Sequence, residues 1–115
     1  MKRVLIGIMG VAVLGVFAST AAAQDAKVTK GAEVYTAQKC SICHSIAGKG
    51  NAKGALDDVG SKLTAAEIHD WIVKPTEMST KAKAERKPPM PAKYTSLPKD
   101  DLDALVAYLS SLKKK

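Results

Sequence analysis

Cys40-Ser41-Ile42-Cys43-His44 places two thiols and an imidazole within one short turn of chain. Two cysteines at this spacing lie on one side of a helical turn, where both can add to neighbouring vinyl groups on one haem edge. Cys-x-x-Cys-His is the attachment signature of c-type haem. The adjacent histidine then offers a ring nitrogen to the iron as an axial ligand. Three other uses of the same residues compete. A disulfide between Cys40 and Cys43 would close so small a loop that it stabilises little. A thioredoxin-type redox pair needs a βαβ context, and no segment of this chain alternates as a strand would. Structural zinc needs four ligands, and beyond Cys40, Cys43 and His44 the remaining histidine, His69, has no companion at knuckle spacing.

A second axial ligand has to come from elsewhere, and the candidates are Met90, Met78 and His69. Met90 lies in Lys87-Pro88-Pro89-Met90-Pro91, where flanking prolines restrict the backbone and reduce the entropy lost in holding it against a metal. A methionine in so polar a loop also has no apolar stripe to join, so gap-filling in a core explains it poorly. Met78 lacks the proline bracing, and His69 reads as a surface or partly buried helix residue. A thioether ligand raises the reduction potential relative to a second histidine. With His44 and Met90 on the iron, no open site is left for a substrate, so the expectation is an electron carrier and not an enzyme. The alternatives are a haem-based gas sensor with a labile Met90, and a subunit docked permanently in a larger oxidoreductase.

The elements around these residues read as helices. Gly31, Val34, Tyr35 and Gln38 recur at helical spacing and predict a helix from Val28 to about Lys39. A loop carrying Gly48, Gly50, Gly54 and Gly60 follows His44. Thr64 and Glu67 form a capping box for a helix from Ala65 to about Lys74, ended by Pro75. Residues 75–98 carry all five prolines and no apolar periodicity, so they read as an extended loop. The last helix starts near Pro98, with Asp100, Asp101 and Asp103 at its favourable end and Lys113-Lys114-Lys115 at the other. Its core stripe is Leu102, Leu105, Val106, Leu109 and Leu112. The fold class is all-α, with three main helices and long loops.

Ahead of this domain, Lys2-Arg3, an uncharged run from Val4 to Ala18 and the small residues Ser19 to Ala23 have the order of a secretory signal peptide. The apolar run is shorter than the roughly 20 residues a spanning helix needs. Cleavage after Ala23 is expected, dividing the chain into residues 1–23 and a domain over 24–115 in a periplasmic or otherwise exported protein. An uncleaved signal anchor is the alternative, and is the only route here to membrane contact.

The whole chain has a formal charge of +7; without Lys2 and Arg3, 16 basic residues face 11 acidic ones, a balance of +5. That favours acidic surfaces on protein partners. Without a recognition motif or base-stacking aromatics, it does not indicate nucleic acid. Beyond the signal only Tyr35, Trp71, Tyr94 and Tyr108 give aromatic bulk to a small core, and a haem macrocycle would complete it. Lys39, Lys49, Lys53, Lys62, Lys81, Lys83, Arg86, Lys87 and Lys93 fall largely in loops near the expected site, as a steering rim or as a solubilising spread.

Taken in order, Gly31-x-x-x-Tyr35, Cys40-x-x-Cys43-His44, Trp71-Ile72-x-x-Pro75, Met90-Pro91 and Leu105-Val106-x-Tyr108-Leu109 resemble the class I bacterial cytochromes c, small soluble monohaem proteins. The resemblance implies a cytochrome c fold wrapped around one haem c bound through two thioethers. It further implies a monomer that passes single electrons between a donor and an acceptor protein. By the same resemblance the first and last helices cross closely at Gly31, with Tyr35 near Leu105 and Tyr108, and Trp71 lies in the haem pocket on the methionine side. An ordinary core role for Trp71 is compatible with that. The family commonly has a loop proline whose carbonyl accepts a bond from the proximal histidine. Here Gly54-Ala55-Leu56 stands in that place, with the Ala55 carbonyl as the expected acceptor.

Overall fold

Alanine-rich sequence with no glycine or proline from Val16 to Lys30 carries the first helix well beyond its expected start. α1 spans Val16–Ala37 instead of beginning near Val28, because Ala18, Ala21, Ala22, Ala23 and Ala26 have the highest helix propensity. The computed structural model describes residues 16–85 and 88–113, with side-chain environments from residue 23 onward. The basic start and most of the apolar run of the expected signal lie outside the described residues, as do Arg86, Lys87, Lys114 and Lys115. Among the described residues, no helix is long and apolar enough to cross a membrane.

α1 ends where Lys39 turns into the left-handed region at φ 57°. A short 3₁₀ turn, Cys40–Ile42, follows. The glycine-rich loop then holds two elements that the sequence reading left as coil. Ser45–Ile46 (β1) and Lys49–Gly50 (β2) pair antiparallel, Ser45 with Gly50 and Ile46 with Lys49. Ala47 and Gly48, both at positive φ, form the connecting turn, and two consecutive positive φ angles match the twist of a tight hairpin. Strands of two residues are too short to show alternation, which is why no periodicity announced them. A 3₁₀ turn at Ala52–Gly54 and the one-turn helix α2, Val59–Lys62, complete this region.

α3 spans Ala65–Val73, and both bonds of its capping box are present. The Glu67 backbone N–H donates to Thr64 Oγ1 at 3.2 Å, and the Thr64 N–H donates to Glu67 Oε1 at 3.0 Å. The stretch after it is not an uninterrupted loop. α4, Pro75–Ala82, begins on Pro75 itself, a first helical position where the missing N–H has no intrahelical partner to lose. Its faces are largely polar and exposed, so it has no apolar stripe to read. A 3₁₀ turn at Ala92–Ser96 leads to α5, Lys99–Ser110, whose first turn carries Asp100 and Asp101.

α1 packs across α5 at Gly31, where an added Cβ would fall on the Ala104 carbonyl oxygen and 2.5 Å from Tyr108 Cβ. The Tyr35 and Tyr108 rings meet edge-on at 6.0 Å, and Lys30 pairs with Asp101 at 3.3 Å. The core gathers Val34 and Tyr35 from α1, Ile68 and Ile72 from α3, Tyr94, and Leu102, Leu105 and Leu109 from α5. Val106 and Leu112 are partly buried against it. The Gly60 N–H donates to the Leu112 carbonyl at 2.7 Å, closing the glycine loop against the end of α5. The expected all-α class holds: the described residues form five helices around one core, with a two-residue-strand hairpin beside it.

Candidate haem site

The site begins where α1 stops. The left-handed Lys39 breaks the helix and lets the chain re-coil at once: the N–H groups of Cys43 and His44 both donate to the Cys40 carbonyl, at 3.1 and 2.9 Å. This tight turn presents Cys40, Cys43 and His44 to a single cavity of about 380 Å³, which Trp71, Met90 and Tyr94 also line. No disulfide joins the two cysteines. A second pocket of about 260 Å³ shares Cys40, His44, Trp71, Met90 and Tyr94 with the first and runs inward past Leu56, Ile68, Ile72 and Leu105. The inner pocket and the hydrophobic core share Tyr35, Ile68, Ile72, Tyr94, Leu105 and Leu109.

His44 is oriented by its own loop. Its Nδ1 lies 2.9 Å from the Gly54 carbonyl oxygen. A carbonyl only accepts, so Nδ1 carries the proton and the lone pair resides on Nε2, the tautomer a metal-binding imidazole needs. The acceptor is Gly54 and not Ala55 as expected from the sequence. The 3₁₀ turn Ala52–Gly54 aims the Gly54 carbonyl at the ring, while Ala55 is engaged in a parallel bridge with Ser45.

Met90 reaches the cavity between Pro89 and Pro91, and the following 3₁₀ turn anchors it through Tyr94, only 9% exposed. Lys93 Nζ sits 5.3 Å from the Tyr94 ring centroid, a cation–π contact at the cavity mouth. Sequence reasoning names Tyr94 as aromatic bulk for the core and not as a site residue; the available signal for the site was a lone aromatic shortly after the Pro-Met-Pro segment. Neither Met78 nor His69 is among the lining residues. His69 lies on half-exposed α3 surface with Nδ1 3.3 Å from Asp70 Oδ1. Trp71, from the same helix, lines both pockets.

Burial sets the protonation of the wall. It raises the Cys40 thiol above its ordinary pKa, with a backbone hydrogen bond and Lys93 pulling partly the other way. Tyr35 is pushed up to about 12, chiefly by burial and then by Cys40, Tyr108 and Asp57. Among the described residues its hydroxyl is buried without a hydrogen-bond partner.

A family model for cytochrome c matches residues 28–113. The chain belongs to the cytochrome c family. Comparison with curated proteins and with solved structures gave no match. Membership makes this a haem c-type electron-carrying protein, and the residues fit that group. Two thiols at attachment spacing, an imidazole with its second nitrogen already engaged and a thioether converge on an apolar cavity. Among the described residues no group of three or more His, Cys, Asp and Glu side chains could hold a bare metal ion. The match starts at Val28, beyond the expected cleavage point, and includes every residue named as a site residue from sequence: Cys40, Cys43, His44, Trp71 and Met90.

Proposed function

We propose that this cytochrome c is an exported carrier that moves single electrons between protein partners through one haem, ligated by His44 and Met90. The observation that carries this reading is the convergence of Cys40, Cys43, His44 and Met90 on one cavity. Haem c, when bound, supplies a one-electron couple whose potential depends on its axial ligands and burial. The Cys40 and Cys43 sulfurs would hold it covalently. His44 would offer Nε2 while Gly54 holds Nδ1–H, which fixes the ring and raises its basicity. Met90 would offer its soft sulfur from a proline-restricted segment, and Trp71, Tyr94 and Leu56 exclude water from the cavity.

Partner recognition would rest on the lysines. Lys39 and Lys93 border the cavity, and Lys49 and Lys53 are exposed nearby on the glycine loop. Lys62 is partly neutralised by Asp58 at 3.3 Å, so it contributes less to such a rim. Acidic patches on donor and acceptor are the complementary chemistry. Export rests on the order of residues 1–23, and N-terminal sequencing of the secreted protein tests it: a mature chain starting at Gln24 is expected.

One spectroscopic experiment tests the carrier against the gas-sensor alternative. The oxidised wild type should show the weak far-red band of methionine-ligated haem, and the reduced protein should resist carbon monoxide at neutral pH. Met90→Ala should lose the band and bind carbon monoxide readily. A wild type that binds the gas as readily as the variant rejects the six-coordinate reading.

A further inference from the structure

We propose that Asn51 is a positioning residue for the proximal histidine, joining the Cys40–His44 turn to the loop whose Gly54 carbonyl holds the imidazole. The proposal rests on the haem reading above. It starts from the number of bonds that converge on this one side chain and its backbone. The Asn51 N–H donates to two carbonyls of the attachment turn, Ser41 at 3.1 Å and His44 at 3.0 Å. Asn51 Nδ2 donates to the Ile42 carbonyl at 3.3 Å. On the other side, Asn51 Oδ1 accepts the Lys53 N–H at 3.1 Å and the Asn51 carbonyl accepts the Gly54 N–H at 3.1 Å.

These bonds link the two ends of the His44–Gly54 contact through a single residue. Upstream, Asn51 gathers carbonyls that the short 3₁₀ turn leaves outside its own bonding. Downstream, its side chain caps the 3₁₀ turn Ala52–Gly54 and so aims the Gly54 oxygen. Gly50 permits the approach: at φ 110°, a Cβ there would meet the His44 carbonyl oxygen and lie 2.8 Å from the Ser41 oxygen. The remaining loop bonds, Ala47 N–H to Asp57 at 2.7 Å and Leu56 N–H to Ser45 at 2.9 Å, secure the hairpin and leave residues 52–54 to Asn51. Where a proline would stiffen this loop, Ala55 does not, and the Asn51 hydrogen bonds restrict it instead.

The readout is the His44 Nδ1 proton, observed by nitrogen-correlated NMR in the reduced, haem-loaded protein. Its exchange with solvent should be roughly fivefold faster in Asn51→Ala, as expected for loss of a side-chain cap. Asn51→Asp keeps an oxygen for the Lys53 N–H and loses only the Nδ2 donation to Ile42, the longest of these bonds at 3.3 Å, so it should exchange within about twofold of wild type. Asn51→Ser, a weaker local acceptor, should fall between. The reduction potential of Asn51→Ala should rise, because a loosened Nδ1–H bond leaves the imidazole a poorer electron donor to iron. Unchanged exchange in Asn51→Ala, or Asn51→Asp as fast as Asn51→Ala, overturns the role. If the alanine variant yields no haem protein, the aspartate and serine variants decide, and equal exchange in both overturns it. A wild type carrying no covalent haem instead sinks the underlying reading, and the proposal with it.

Discussion

At the scale of single residues, two groups have consequences that their chemistry alone does not reveal. Tyr35 places its hydroxyl in the core with no partner among the described residues, so the ring contributes packing while the oxygen contributes a desolvation cost. Tyr35→Phe should therefore melt at or above the wild-type temperature at pH 7. Because its folded pKa is raised to about 12, neutral Tyr35 supports the fold fully below the unfolded value of about 10. That support is lost as pH climbs through 12. Melting curves at pH 7 and 11 should show the advantage of the phenylalanine variant widening at the higher pH; a constant difference would remove Tyr35 from the alkaline transition. His44 is the other case. Its role as a ligand candidate was legible from its neighbours Cys40 and Cys43, but its acceptor was not. Whether Gly54 or Ala55 presents its carbonyl depends on one peptide's orientation, set by the Asn51 cap and the bridge between Ser45 and Ala55. No side-chain pattern encodes that.

Among the elements, the crossing of α1 and α5 governs everything attached to them, because α1 delivers the Cys40 turn directly from its end. Gly31→Ala adds a Cβ where the Ala104 backbone carbonyl already sits, and a backbone neighbour cannot rotate away. The variant should lose about 2 kcal/mol from overpacking, even though alanine gains about 1 kcal/mol in intrinsic helix propensity. Denaturant titration of the haem-loaded protein measures it, and an unchanged midpoint would mean the two helices can separate freely. α3 and α5 were legible because each has an amphipathic stripe and marked ends: Thr64 with Glu67 for one, Pro98 and its aspartates for the other. α4 was not, since its stability comes from Pro75 at its first position and a left-handed stop at Lys83, while its composition reads as loop. The start of α1 was missed for the opposite reason: alanine propensity extends a helix without leaving an apolar periodicity.

For the whole molecule, charge and cavity are the two properties no single element carries. If the lysines around the cavity steer the protein toward acidic partners, electron-transfer rates with an acidic partner should fall steeply as salt rises through the range where the Debye length shrinks below about 10 Å. Stopped-flow kinetics against ionic strength decides it, and a flat profile leaves the lysines as solubilising charge. The cavity matters differently, because side chains of the hydrophobic core form much of its inner wall. Trp71, the only tryptophan in the chain, stands in that wall. The protein therefore has a built-in optical gauge: an indole beside a strongly absorbing macrocycle should be nearly dark, and should brighten only when chain and cofactor move apart. Emission followed during denaturation should rise in one step with loss of helical circular dichroism. A bright folded holoprotein would place the indole away from the chromophore.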